Sequence, residues 1–476
     1  MTRIPELRSR SPVAGLDRRT LSPLGVFAQS VATTAPAGAM ASTPLLVIAA
    51  AGRGAPWSFA VAAVVVGLVA ACIAVFARRM AAAGGLYSFT AKGLGPAGAY
   101  ACAVSMVVGY GMLVAAAFSG ASWYGSALVA RRGAGTGPVA LVGAGLVVAL
   151  AATVAVCAIR GIRLVGRVML VIEALSIGLI LVVLVALAVT TAPAMPQPVP
   201  EPVTGAPGGV SGIAVGVLPA LAAFIGFDSA ASLGVEARRP FASVPRAITA
   251  TAAVTAVLYL VATLLQLGTA GGATSASATA PASEGLSWAS VLMDVGIVAS
   301  FSACALAALT TLVRVLFSLA REGVAPAALG RTHRRFLTPA FAVVVAVPVL
   351  AVVAVAGALA GVAPASVFGG LLSVATLGFL VAYLLVCLAA PRFLARIGEL
   401  TRGSVVTSVL AVAALVATLV VVILNAEPGL LITVAALVVV GVAGRLVLSR
   451  RRASALRGMG VYDETTTADV LGTGDR

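Results

Sequence analysis

The first candidates for chemistry are two carboxyl side chains inside apolar stretches that are long enough to cross a lipid bilayer. Glu173 falls within the apolar run 168–175, and Asp228 directly follows the short apolar run 224–227. A carboxylate at the centre of a bilayer costs about 2.5–3.5 kcal/mol on insertion scales, so proteins keep such a residue mostly where it serves a function. We expect both side chains to couple substrate movement to an ion. We expect Glu173 to carry a proton, because the run around it contains no basic residue.

Each carboxyl also has a purely structural interpretation. Asp228, together with Ser229, could cap the helix segment that follows, where the helix dipole stabilises a carboxylate. Glu173 could instead form a hydrogen bond that only stabilises the fold. Charged residues near the predicted ends of spans are expected to make loop or gate contacts or to be solvated; these are Arg314, Arg321, Glu322 and His333.

Two apolar stretches are interrupted in their middles by residues that break helices. The first break, at 33–39, contains Pro36 and Gly38, and the second, at 224–229, contains Gly226. Lipid cannot satisfy the backbone groups that a break exposes, so breaks are tolerated where they line a cavity. One break alone could be a simple kink. Two breaks about 190 residues apart, followed by spans in the same order, predict an inverted repeat.

The two breaks together offer opposite electrical poles. The amides of residues 37–39 would begin a half-helix, where free N–H groups and the helix dipole favour an anion such as a carboxylate. Carbonyl groups near residues 224 and 225 would end the facing half-helix and accept hydrogen bonds from an ammonium group. The pair therefore selects a zwitterion, and an amino acid fits that description. The predicted substrate-binding residues are Thr34, Ala37, Gly38, Ala39, Phe224, Ile225, Gly226 and Phe227.

Composition shows which class of protein must position these residues. Hydrophobic residues make up 61% of the 476 residues and charged residues only 10%, whereas soluble proteins average about 25% charged residues. This excludes a soluble globular protein and leaves no room for a large soluble catalytic domain. We expect an all-α polytopic membrane protein with about twelve transmembrane helices. The predicted spans are 24–51, 57–77, 97–121, 137–158, 165–191, 210–233, 245–269, 286–319, 339–361, 366–390, 404–425 and 428–448.

The domain organisation follows from these spans. Segments rich in proline, in small residues or in polar residues are expected to be extended, flexible or disordered; they are 192–209, 270–285 and the chain after Arg457. The expected parts are a cytoplasmic N-terminal arm at 1–23, a transmembrane transporter domain at 24–448 and a cytoplasmic C-terminal tail at 449–476. Within the domain, 24–191 would form the first repeat, 210–390 the inverted second repeat and 404–448 the last two helices.

Basic residues define the expected orientation in the membrane. The net charge is +16, and the arginines concentrate in the N-terminal arm, in every second loop and in the tail. The intervening loops hold only Arg53, Arg131 and Arg132. The positive-inside rule then predicts that both termini are cytoplasmic. The chain is expected to be a multi-pass protein of the cell membrane. The charge therefore indicates topology, and we expect no nucleic-acid partner and no cleavable signal peptide.

No cofactor or metal site is expected. The five cysteines lie within apolar runs, where they behave as small hydrophobes, and neither a CxxC nor an HExxH pattern occurs. Hydroxyl groups of Ser300 and Ser302 in the eighth span could help to ligate sodium, although such residues also pack helices. We prefer a proton as the coupling ion over sodium.

Three motifs in this order resemble the amino acid-polyamine-organocation family of transporters. Each motif alone is weak, but their order on a chain of about twelve spans is specific to that family. The first motif is 77–88 followed by 92–96, the second is 224–229 followed by 234–240 and 244–247, and the third is 314–323 followed by 338–339.

The resemblance implies a leucine-transporter-like fold, with a five-plus-five inverted repeat and discontinuous helices 1 and 6. It also implies a substrate site at the two breaks, with walls from spans 3, 6, 8 and 10. The chain departs from the family pattern at two places: one glycine, Gly38, stands where many members have a Gly-x-Gly break, and Asp228 stands where the family usually has Glu.

These observations favour a secondary active transporter that moves an amino acid across the membrane by alternating access, with proton coupling, and not an enzyme. A carrier of polyamines or other small organic amines is the alternative, for which more carboxylates facing the pocket are expected. An amino acid exchanger is a further alternative. A transporter-like sensor would need an added signalling domain, and a channel is disfavoured because the sequence lacks repeated pore loops. The sequence does not indicate an oligomeric state.

Overall fold

The computed structural model describes residues 15–130, 136–191, 210–268 and 287–463. The secondary structure of these residues is helical, apart from one isolated β-bridge between Leu21 and Ala237. A helix satisfies every backbone group within the segment, which is why uncharged apolar runs in a bilayer become helices. The helices are α1 Pro23–Thr33, α2 Pro36–Ala51, α3 Ala55–Ala77, α4 Leu86–Ala130, α5 Thr136–Arg160, α6 Ile162–Thr191, α7 Val210–Phe224, α8 Pro240–Gly268, α9 Ser287–Arg321, α10 Ala340–Leu359, α11 Pro364–Arg396, α12 Arg402–Asn425, α13 Pro428–Arg451 and α14 Ala453–Arg457.

Eleven helical stretches of the described residues are long and apolar enough to cross a membrane. The first stretch, Pro23–Ala77, is 55 residues long, and at about 1.5 Å per residue it is far longer than the ~30 Å hydrocarbon core. It contains α1 and α2, which together make one crossing, and α3, which makes the next. The described chain therefore crosses the membrane twelve times, as predicted, and is an all-α polytopic membrane protein.

The first crossing is broken where the sequence predicted. α1 ends at Thr33 and α2 begins at Pro36, whose missing N–H suits the first position of a helix. Between the two helices, Ala35 has φ 44° and ψ 55°. This left-handed conformation is uncommon for a residue that has a side chain.

The sixth crossing is broken in the same way. α7 ends at Phe224, and a short 3₁₀-helix begins at Ser229. Gly226 between them has φ 97°, which glycine adopts at little cost. A Cβ built on this glycine would lie 2.4 Å from Cγ2 of Thr33. The two breaks are therefore in direct contact, and the discontinuous helices 1 and 6 of the expected fold are confirmed.

The largest difference between a predicted and an observed boundary is at the start of the third span. The apolar pattern predicts a third span that begins at residue 97, directly after Gly95 and Pro96. α4 instead begins at Leu86, and its helical path is interrupted only at Gly95, with φ 75° and ψ −168°. A glycine in this conformation lets a short helix join the long one at a kink, so residues of the expected loop are helical.

The packing of the bundle is uneven. α4 packs along α11 and α9, and Gly378 of α11 lies so close to α4 that an added Cβ would come within 2.9 Å of the backbone nitrogen of Gly109. Small residues at such a crossing let two helices approach closely in a membrane. α13 represents the other extreme, because none of its residues is buried.

The tail prediction needs a correction. The expectation that the chain after Arg457 is disordered is wrong for residues 458–463, which are packed against the bundle. The backbone N–H groups of Gly460 and Val461 donate to the carboxylate of Glu322, and the N–H of Asp463 donates to the carbonyl of Ala81. The extended loop expected at 192–209 and the flexible loop expected at 270–285 lie outside the described residues, as does the chain from 464 onward.

Candidate functional site

A small cavity lies where the two breaks meet. Thr33, Thr34 and Ala35 of the first break line it, together with Ala223 and Ile225 of the sixth crossing. Its volume is about 30 Å³, which is room for about two water molecules at most and not for an amino acid. The remaining walls come from α2, α4, α9 and α11 and include Ser42 and Thr43 as well as Leu113, Phe301, Phe368 and Leu372.

The ring of Phe301 forms a wall of this cavity and is held between two glycines. A Cβ built on Gly38 would lie 3.1 Å from the ring, and one built on Gly120 of α4 would lie 2.9 Å from it. Phe301 also meets Phe368 edge to face, with ring centroids 5.3 Å apart. The absence of side chains at the two glycines is what leaves space for this aromatic wall.

The predicted anion site at the start of α2 is bonded to the protein itself. The N–H of Ala37 donates to Oε1 of Glu173 at 3.2 Å, and the N–H of Gly38 donates to the hydroxyl of Ser300 at 3.2 Å. Ser300 in turn donates to the same Glu173 oxygen at 2.8 Å. The N–H of Ala39 donates to the carbonyl of Ala35, as in an ordinary helix. A carboxylate therefore occupies the place that the sequence analysis assigned to the carboxylate of a substrate.

Glu173 reaches this place from α6. Its side chain is only 1% exposed, and the positive end of the α2 dipole stabilises a carboxylate there. Its second oxygen, Oε2, has no hydrogen-bond partner among the described residues. The sequence analysis expected a buried carboxyl without a basic partner, but it could not show that α6 brings Glu173 to the first break.

Asp228 has a different environment. Its carboxyl is also 1% exposed, and it accepts one hydrogen bond from Tyr110 of α4 at 2.8 Å and one from Tyr383 of α11 at 2.7 Å. Its side chain makes no capping bond to the 3₁₀-helix that follows. The capping alternative is therefore wrong, because the two phenols draw the carboxyl away from the helix end.

The carbonyl groups of the sixth crossing are partly used within the protein. The carbonyl of Ala223 accepts a hydrogen bond from Tyr259 at 2.8 Å, and that of Phe224 accepts one from the N–H of Phe227 at 3.4 Å. The carbonyl of Phe227 accepts a hydrogen bond from Ser30 of α1. The structure thus places Thr34, Ala39 and Ile225 at the cavity and Phe224, Gly226 and Phe227 around the break, and their contact with a substrate stays a prediction.

The other candidates of the sequence analysis make contacts within the protein. Ser302 donates to the carbonyl of Val298 on its own helix. His333 accepts hydrogen bonds at Nδ1 from the backbone of residues 335 and 336, so it shapes a turn. Arg314 makes a buried two-pronged ion pair with Glu236, at 2.8–3.1 Å. Burial raises the pKa of Glu236, and the guanidinium of Arg314 opposes that shift.

Several buried polar residues were not singled out from the sequence. Tyr110 and Tyr383 gave no signal beyond being single tyrosines in apolar spans. Glu236 follows the sixth span and reads as a loop residue. Asp294 of α9 is fully buried, and a count of carboxyl groups inside predicted spans would have found it.

Comparisons with known proteins agree on one family. A model of the amino acid permease family matches residues 21–446. The branched-chain amino acid permease BcaP of Bacillus subtilis is 29% identical over 309 residues, which cover 61% of this chain and 65% of that protein. Cationic amino acid transporter 4 of Mus musculus is 33% identical over 144 residues, which cover 29% of this chain and 23% of that protein. The matches thus span less than two thirds of these relatives.

A solved structure shows the same fold. The crystal structure of a histidine-to-alanine mutant of the Eremococcus coleocola manganese transporter superposes with a TM-score of 0.55 and 16% sequence identity, covering 91% of this chain and 96% of that one. At this identity the likeness establishes the fold alone. It agrees with the leucine-transporter-like fold expected from the sequence.

Proposed function

The chain belongs to the amino acid permease family, and we propose that it is a secondary active transporter that moves an amino acid with an apolar side chain across a cell membrane by alternating access. The cavity between the two helix breaks is the observation that carries this proposal. Because the cavity has a volume of only about 30 Å³, an amino acid can fit there only if the surrounding helices separate. Alternating access supplies that movement.

The chemistry of the cavity walls favours an apolar side chain. The walls include Leu113, Ile225 and Phe301, and no charged residue of the described chain lines the cavity. A polyamine or a cationic amino acid would need a carboxylate beside its extra positive charge, because an unpaired charge is costly to bury. Both nearby carboxylates, Glu173 and Asp228, make contacts outside the cavity walls.

A ligand panel tests the substrate class. A ligand that binds only the native state raises its stability by about 2.7 kcal/mol at a concentration 100 times the dissociation constant. We expect leucine, isoleucine and valine to raise the melting temperature of the purified protein, and arginine, lysine and putrescine to leave it unchanged. Stabilisation by the cationic compounds alone would contradict the proposal.

A pair of variants on α4 tests whether the cavity is the binding site. Ala117 lines the cavity, whereas Ala101 on the same helix is exposed on the outside of the bundle. Ala117→Val places two methyl groups in the cavity and should remove most of the stabilisation by leucine. Ala101→Val is the matched control and should keep it.

The bonds of Glu173 support proton coupling. A substrate carboxylate can bind the amides of Ala37 and Gly38 only if Glu173 and Ser300 release them. Protonation removes the negative charge that holds Glu173 at the start of α2 and so favours its release. Binding of a proton to Glu173 and binding of substrate to α2 would therefore promote each other, and such linkage is reciprocal.

The contacts favour Glu173 over Asp228 and a proton over sodium. Asp228 already accepts two phenolic hydrogen bonds, whereas one oxygen of Glu173 has no partner among the described residues and can hold a proton. Ser300, one of the two hydroxyls considered for sodium, accepts from the N–H of Gly38 and donates to Glu173, so it serves the same contact as Glu173.

We also propose that both termini are cytoplasmic. The N-terminal arm and the C-terminal residues lie at one end of the bundle, where Arg18 pairs with Asp463 at 2.9 Å. That end carries the basic loops, so the positive-inside rule supports its cytoplasmic location. Reporter domains placed in loop 192–209 and after residue 476 should report outside and inside, respectively. A reporter after residue 476 that reads outside would overturn this topology.

A further inference from the structure

We propose that residues Gly458–Asp463, which we call the C-terminal strap, hold the arginine-rich end of the transport pathway closed and must leave their place before that end can open. The inference rests on the proposed transport function, because a pathway is needed for a closure to matter. It is carried by the contacts of the strap with the same elements that enclose the cavity.

The strap fits into a small apolar cluster at this end of the bundle. The cluster contains one buried residue from each of four segments: the N-terminal arm, the loop before α4, the exit of the sixth crossing and α9. Val461 packs against this cluster, and Met459 is 8% exposed. The four cluster residues are Leu16, Ala83, Val235 and Phe317.

These segments lead directly to the walls of the cavity. The arm continues into α1, the loop into α4, and Val235 follows the sixth crossing, while Phe317 belongs to α9. Residues of α1, α4, the sixth crossing and α9 all line the cavity. If the elements separate at this end, the cluster must open, and the strap that spans it must be released.

Polar contacts fix the strap in place. The successive N–H groups of Gly460 and Val461 donate to one oxygen of Glu322, at 2.9 and 2.8 Å. The N–H of Asp463 donates to the carbonyl of Ala81 at 2.8 Å, and its carboxylate pairs with Arg18. Because one oxygen of Glu322 accepts two backbone hydrogen bonds from the strap, Glu322 is a main anchor.

A cation adds a further contact with α4. The ammonium group of Lys92 lies 4.4 Å from the centre of the Tyr462 ring, within the range of a cation–π interaction. The hydroxyl of Ser88 donates to the carbonyl of Val461 at 3.3 Å. The strap is thus bound to the arm, to the loop before α4, to α4 and to the end of α9.

Gly460 offers a specific way to release the strap. It has φ 98°, and a Cβ built on it would lie 2.3 Å from Cβ of Ala91. Gly458, two residues earlier, has φ −87°, and a Cβ built there would meet its nearest atom at an ordinary 3.6 Å. Gly460→Ala should therefore displace the strap, and Gly458→Ala is a matched control that should leave it bound.

The first measurement reports closure without using transport. Ala83 is fully buried in the cluster under the strap, so a cysteine introduced by Ala83→Cys should react slowly with a maleimide in the purified protein. Adding Gly460→Ala should speed this labelling roughly tenfold or more, because the bonds to Glu322 are lost. Adding Gly458→Ala should not change it. Labelling of the parent protein is subtracted, and equal rates for the two glycine variants would overturn the proposal.

The second measurement reports the effect on the transport cycle. Uptake of leucine into proteoliposomes should be several-fold faster for Gly460→Ala than for Gly458→Ala if the strap restrains opening. Equal uptake, with both variants folded and melting at similar temperatures, would overturn the restraining role. If no amino acid is transported by any variant while labelling still differs, the strap proposal for closure stands and the proposed transport function fails.

Discussion

Replacing Glu173 by glutamine should abolish accumulation of amino acid driven by a pH gradient and leave exchange of amino acid across the membrane intact. Glutamine has nearly the shape of the protonated side chain but no charge, so the dipole of α2 no longer holds it at the N–H of Ala37, and it has no proton to release. The variant is therefore fixed in the state in which the start of α2 is open to a substrate carboxylate. Substrate can then bind without a proton, and the gradient no longer drives the cycle.

The assay is uptake of radiolabelled leucine into proteoliposomes, with and without an imposed pH gradient, at fixed sodium. For Glu173→Gln we expect uptake with the gradient to fall to the level without it, while counterflow against unlabelled leucine continues. A variant that still accumulates leucine with the gradient would exclude Glu173 as the proton carrier. Loss of counterflow as well, in a folded protein, would assign Glu173 to substrate binding and not to coupling.

Asp228→Asn is the matched comparison in the same assay. Asparagine has the shape of aspartate, and it can still contact the phenols of Tyr110 and Tyr383, which donate or accept. If Glu173 carries the proton, this variant keeps uptake driven by the gradient. If the pH gradient no longer drives uptake in Asp228→Asn but still drives it in Glu173→Gln, the coupling role belongs to Asp228.

Removing the carboxylate of Glu236 should cause the largest loss of stability of any single change considered. Its partner Arg314 has a side chain only 3% exposed, and Glu236 accepts hydrogen bonds from both Nε and Nη2 of its guanidinium. Glu236→Ala leaves a buried positive charge without a counter-charge. Breaking such a pair from one side typically costs about 3–5 kcal/mol.

A double replacement serves as the control for this pair. Replacing both partners of a buried ion pair by apolar residues is often neutral, because no charge is then left unpaired. We therefore expect the melting temperature to fall clearly for Glu236→Ala and to recover most of the loss in Arg314→Met combined with Glu236→Met. A single variant as stable as the parent protein would show that water or another group satisfies Arg314.

The sequence predicted the path of the chain better than the contacts within the site. Span positions follow from uncharged apolar runs, and the breaks follow from Pro36 and Gly226, because these features are local. Gly95 shows the limit of predicting helix boundaries from local sequence, because a glycine can end a helix or join two helices at a kink. The local pattern does not distinguish the two cases.

The contacts of the two buried carboxyl groups are not local and could not be predicted in the same way. Glu173 contacts Ala37 at the start of α2, which is 136 residues away along the chain. Asp228 contacts Tyr110 and Tyr383, which are 118 and 155 residues away. Each contact depends on how three helices pack against one another. The sequence marked both carboxyls as buried and unusual, and only the packing showed that they have different partners.

The exposed helix α13 has a consequence for how the protein can change in evolution. None of its residues is buried, so apart from positions such as Gly441 and Gly444, which lie close to α4, its side chains are not constrained by the shape of neighbouring helices. Exchange of one aliphatic residue for another at most of its positions leaves the bundle and the cavity as they are. Mutations there should accumulate with little selection against them, whereas on α4 a single added methyl at Gly109 or Gly120 meets an aromatic ring. Within one chain, the rate of sequence drift would then differ between helices according to their burial.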